Sequence, residues 1–151
     1  MNNILTAGLT VFFISACAST PKPAAPSPAS KMQLSARTLN SGDCGLFVWT
    51  ADASRRLVFF TRPSGQDAVW HDGQTEVPLK LSSLPPPQRQ ALPPKQSFMA
   101  GNTALSLDMR QPQLIPKGTR YKSGLLRLRP AAPGEAWERV VPVVGLAACQ
   151  I

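Results

Sequence analysis

Apolar side chains in this chain come in short runs or at every second position, and turn residues separate them. No segment sustains the 3.6-residue apolar period of a helix over three turns. "CGLFVWT" (44–50) and "RRLVFFT" (55–61) are rich in β-branched and aromatic residues and flank the polar turn "ADAS" (51–54). That pattern predicts a β-hairpin. Both strands are apolar at nearly every position, so both of their faces should be covered. After a turn at "RPSGQ" (62–66), "DAVWH" (67–71) meets Asp72-Gly73, a two-residue hairpin signal. "TEVPLKL" (75–81) then alternates, with Val77, Leu79 and Leu81 on one face and Glu76 and Lys80 on the other. Pro78, lacking an N–H, points to an edge position.

The stretch "SLPPPQRQALPPK" (83–95) reads as a loop by composition. Strand pattern resumes in "SFMAGNTALSLDMR" (97–110), with a turn at Gly101-Asn102 and Leu105, Leu107 and Met109 facing inward. In "PKGTRYKSGLLRLRP" (116–130), Leu126 and Leu128 share one face, with Arg127 and Arg129 on the other. "WERVVPVVGLAAC" (137–149) supplies a valine-rich final strand. The expectation is an all-β domain: a small antiparallel barrel or sandwich of about seven or eight strands, closed by a disulfide.

The N-terminus is different in kind. The first 16 residues carry no Asp, Glu, Lys or Arg. The apolar stretch from Ile4 to Ile14 is far shorter than the roughly 20 residues that span a bilayer as a helix. It ends in Ile14-Ser15-Ala16-Cys17, which resembles a bacterial lipobox. The resemblance implies diacylglyceryl transfer to Cys17, cleavage between Ala16 and Cys17, and acylation of the new amine. The other reading is an ordinary signal peptide with an incidental cysteine. Ala18 resembles an outer-membrane address of Gram-negative lipoproteins. "ASTPKPAAPSPASK" (18–31) has no large apolar residue with which to build a core, so it reads as an extended tether. The division expected is 1–16 signal peptide, 17–36 lipidated cysteine and tether, and 37–151 one β domain, facing the periplasm from the outer membrane.

Removing an uncharged signal leaves the mature chain with all 16 Lys+Arg and all 8 Asp+Glu, a formal charge of +8. With Cys17 acylated, Cys44 and Cys149 remain, and an oxidising compartment favours their pairing over two lone thiols. They close a loop of about 100 residues, worth about 4 to 5 kcal/mol in the chain-entropy description. Two distant cysteines and the single His71 lack metal-ligand spacing, so neither a metal nor a cofactor is expected. Asp67, Asp72 and Glu76 surround the hairpin that carries His71, but acidic turn residues commonly serve the local backbone. His71 itself reads as a solvated turn residue, and no catalysis is expected. The cations stand out more. Arg110, Lys117, Arg120, Lys122, Arg127 and Arg129 lie between Met109 and Gly134 with no acid among them. They form a basic surface for an anionic lipid, an anionic polymer or an envelope protein, or else a solvated sheet face. An exported, tethered domain is not expected to meet nucleic acid.

"CGLFVW", "RLVFF" and "WERVVPVVGLAAC" resemble stretches of small lipoproteins of Gram-negative bacteria. "DAVWHDGQTEVPL" (67–79) and "GTRY" (118–121) are similar to motifs of the membrane-bound C-type lysozyme inhibitors. That second resemblance implies, as the alternative function, inhibition of a lysozyme-like peptidoglycan hydrolase. No inhibitory residue carries over. The motif's serine falls on Lys117 or Thr119, and a charge of +8 opposes docking on a basic enzyme.

Overall fold

The computed structural model describes residues 33–65, 67–82, 92–132, 134 and 136–150. Residues 1–32, on which the expected signal segment, Cys17 and most of the expected tether fall, lie outside these residues, as does most of the proline-rich loop. Nine strands form one antiparallel sheet: β1 (Cys44–Thr50), β2 (Leu57–Thr61), β3 (Val69–His71), β4 (Glu76–Pro78), β5 (Lys80–Leu81), β6 (Lys95–Ala100), β7 (Thr103–Ile115), β8 (Gly118–Pro130) and β9 (Arg139–Cys149). Their spatial order is β4-β3-β2-β1-β9-β8-β7-β6-β5. The two ends of that order are halves of one segment, joined through Leu79. Leu79 N–H donates to Ala68 O (2.8 Å) towards β3, and Ser82 N–H donates to Ser97 O (2.9 Å) on β6. The sheet therefore curls into a nearly closed up-and-down barrel, and the sandwich alternative falls. Pro78 stands where the segment changes partner, a place that needs no ladder donor.

The barrel is filled rather than hollow, as expected of about eight strands. Leu46 and Val48 of β1, Phe59 of β2, Phe98 of β6, Leu105, Leu107 and Met109 of β7, Leu126 and Leu128 of β8 and Val143 of β9 meet inside. Phe59 and Phe98 touch edge to face across the interior, with centroids 5.3 Å apart. Neither is exposed to solvent. The leucines and the methionine that alternation predicted inward are all buried.

Strand limits depart from the sequence reading most clearly in three places, each for a local reason. Arg55 and Arg56 belong to a turn rather than to β2, because the Asp52 carboxylate accepts hydrogen bonds from the Ser54 and Arg55 amides (3.0 and 3.2 Å). β6 begins at Lys95, where Gln96 is buried and its Nε2 donates to Pro93 O (2.8 Å). β7 runs on to Ile115. Beyond Met109, whose N–H donates to Pro94 O (2.7 Å), β7 pairs only with β8 among the described residues, so Pro112 deprives no second neighbour of a donor.

Both faces of the first hairpin are covered as far as Phe47, as its composition demanded, whereas Trp49 near the end of β1 keeps an open outward side. The inward face joins the core. The outward face, with Phe47, Leu57, Phe60 and Val69, packs under Leu34 and Leu39. Leu34 N–H donates to Leu57 O (2.8 Å). Ser35 N–H donates to Glu76 Oε1 (2.7 Å), and Arg37 pairs with the other oxygen of Glu76. The packed unit thus takes in Leu34 and Ser35, upstream of the boundary at 37 drawn from composition. Cys44 and Cys149 face each other in register on β1 and β9 and form a disulfide. The nine described strands, their core and the cystine all lie within 33–150, so that stretch has a core of its own, the attribute of a domain that can fold alone.

Candidate functional site

The six expected surface cations do not form one patch. Arg110 is bound to Asp108 (2.8 Å) and Arg127 to Glu138 (3.2 Å), so two of them are compensated by acids that flank the segment in sequence. The Arg110 hydrogen bond also holds the Asp108 carboxyl below its usual range. Lys117 sits in the β7–β8 turn, where its carbonyl accepts from Cys149 N–H (3.3 Å). Arg129 is exposed near the other end of β8, about 20 Å from Lys122 at strand rise. Arg120 and Lys122 remain, and these two come together.

They line an open groove of about 450 Å³ on the outer wall of β1, β9 and β8, with Trp49, Arg55, Tyr121, Val144, Gly145 and Leu146. No carboxylate lines it among the described residues. Arg55, Arg120 and Lys122 have no ion-pair partner among the described residues. The floor follows from strand register. Trp49 lies opposite Val144, and Leu146 lies between Phe47 and Arg120. Trp49 also stacks on Phe47, with centroids 6.1 Å apart. A Cβ on Gly145 would come within 2.5 Å of Met109 Cε, and one on Gly124 within 2.8 Å of its sulfur. Bare backbone at both positions lets Met109 lie directly beneath the groove.

A bulge sets the direction of the cations. Alternation from Leu126 and Leu128 back along β8 would turn Arg120 and Lys122 inward and Tyr121 outward. The register of β8 against β9 shifts between Tyr121 and Gly124, which reverses that parity. Tyr121 is buried in the core, where desolvation raises its phenol pKa, while Arg120 and Lys122 are exposed. Arg55 arrives by a different route. It adopts a left-handed backbone (φ 47°), unusual for a residue with a side chain. Asp52 fixes that turn through Thr50 Oγ1 (2.9 Å), the Ser54 amide and hydroxyl, and the Arg55 amide. Those donors, the Ser54 hydroxyl first, lower its carboxyl pKa to about 2. Sequence reading missed Arg55 and Trp49, since only a turn and a neighbouring strand bring them beside Arg120.

His71 is not solvated. It is 6% exposed, and its Nδ1 accepts the Gly73 N–H (3.1 Å), closing the hairpin turn. Asp72 serves the same turn, accepting from the amides of Gln74 (2.6 Å) and Thr75 (2.8 Å), which lower its pKa. Asp67 pairs with Arg62 (3.3 Å), and Glu76 holds the outer segment. The four polar residues of that hairpin region are thus engaged in local structure. The turn at 72–75 and the segment 118–121, the two stretches similar to lysozyme inhibitors, fall at opposite ends of the barrel. Among the described residues no three of His, Cys, Asp and Glu gather as metal ligands. No protein-family model, curated protein or solved structure matches the chain.

Proposed function

We propose that this chain is a lipid-anchored binding module of the bacterial envelope, held at the outer membrane through Cys17 and facing the periplasm. Its outer-wall groove takes a phosphate-bearing anionic ligand. The observation that carries the reading is the groove itself: Arg55, Arg120 and Lys122 without a carboxylate, beside the apolar surface of Trp49, Val144 and Leu146. Three cations beside an aromatic ring suit a ligand with a phosphate group next to an apolar or sugar portion. A membrane tether would hold such a surface within reach of anionic headgroups.

Sedimentation of the barrel (residues 33–151) with vesicles tests this. Binding to phosphatidylglycerol vesicles should exceed binding to phosphatidylcholine vesicles and weaken as salt rises. It should fall about tenfold in the Arg120→Glu/Lys122→Glu variant and stay unchanged in Arg127→Glu/Arg129→Glu. Parallel arms with lipopolysaccharide and soluble polyphosphate separate a lipid headgroup from an anionic polymer. Equal binding to both vesicle types, or indifference to the Arg120 and Lys122 changes, would refute the assignment.

A further inference from the structure

A second cavity, independent of the outer groove, opens at the end of the barrel formed by the β1–β2 and β3–β4 turns. It holds about 380 Å³, and Arg56, Arg139, His71, Trp70, Val58 and Val141 are among the residues that line it. That volume is at the lower end of the roughly 300 to 1,000 Å³ usual for small-molecule sites. We infer that this mouth binds a small monoanionic carboxylate with a compact apolar body.

The polar groups define the head of the ligand. Arg56 is already matched by Asp52 (3.4 Å), whereas Arg139 has no ion-pair partner among the described residues. The mouth therefore carries one uncompensated positive charge, which suits a single carboxylate better than a phosphate dianion. A guanidinium meets a carboxylate through two parallel N–H donors. His71 adds a donor: its Nδ1 accepts from the Gly73 N–H, which leaves Nε2 to carry a ring proton. The Nε2–H has no hydrogen-bond partner among the described residues.

The walls define the tail. Val58, Trp70, Leu126 and Val141 give an apolar lining, with Trp70 as its aromatic member. Depth is limited, because Phe59 and Phe98 fill the barrel beneath and neither is exposed. A long acyl chain finds no channel, while an aromatic or short branched acid fits.

The test uses nuclear magnetic resonance on the barrel (residues 33–151), with 3-phenylpropionate, its uncharged amide and hexadecanoate as probes. The acid should shift the Trp70 indole and His71 ring signals saturably at millimolar concentration, with the amide about tenfold weaker for loss of the charge-assisted bond. Hexadecanoate should leave both signals in place. Arg139→Gln should weaken the acid about as much as amidation does, whereas Arg120→Glu/Lys122→Glu should not affect it. Equal binding of acid and amide, or absence of a saturable shift at Trp70 and His71, would overturn the inference. The amide comparison needs no altered protein, so it stands even where a variant fails to fold.

Discussion

Two stretches of the barrel's outer wall carry apolar side chains and treat them in opposite ways. Over β1, β2 and β3 the chain folds back on itself, so that Leu34 and Leu39 cover Phe47, Phe60 and Val69, and Glu76 ties the cover down. Over β1, β9 and β8 no described segment lies above Trp49, Val144 and Leu146, and cations border them instead. Phe47 and Trp49, two residues apart and stacked, stand one on each side of the divide. The difference shows that an outward apolar residue in this barrel is either core by another route or part of a surface kept open.

The largest effect expected is where β1, the strand both walls share, is cross-linked to β9. Changing Cys44 and Cys149 together to Ser should lower stability by about 4 to 5 kcal/mol in a urea titration, from the loop they close. Next, the covered wall should behave as core and the open wall should not. Phe60→Ala should cost about 3 to 5 kcal/mol, while Trp49→Ala should cost about 1 kcal/mol or less and abolish groove binding. Comparable losses for the two would erase the distinction.

Acid should discriminate the walls more gently. The Ser35 amide, followed by the Ser35 side chain and the Arg37 charge, lowers the Glu76 pKa. Its contribution is therefore full above the ordinary glutamate value and lost as pH falls through the lowered folded value. Glu76→Gln should be the less stable protein at pH 7, with the gap closing below about pH 4. Lys122→Gln, on a wall without carboxylates, should differ from the parent by a constant amount over that range. The smallest effect concerns Arg55. Since glycine accepts a left-handed backbone freely, Arg55→Gly should leave stability unchanged or raise it by up to about 1 kcal/mol while weakening vesicle binding. A destabilised Arg55→Gly protein would mean the side chain serves the fold rather than the groove.

Alternation in the sequence was enough to place Leu105, Leu107, Met109, Leu126 and Leu128 inside, and near-continuous apolar runs called for cover on both faces of the first hairpin. Cysteine count, with the oxidising compartment expected from the N-terminus, pointed to the Cys44–Cys149 pair. These features are legible because strand periodicity is local and a disulfide needs no knowledge of the path between its ends. The directions of Arg120 and Lys122 were not legible. They depend on a bulge in β8, and one extra residue reverses every side chain that precedes it. Nor does the sequence reveal that Arg110 and Arg127 are neutralised, that His71 is buried, or that Arg55 joins a groove with Trp49. Each depends on neighbours that only strand pairing supplies. The chain by itself determined which residues are apolar, charged or able to cross-link. Barrel closure through Leu79 and the shifts in register at Val48/Trp49 and Tyr121/Gly124 decided which of them meet, because a contact is a property of two distant segments and neither one encodes it alone.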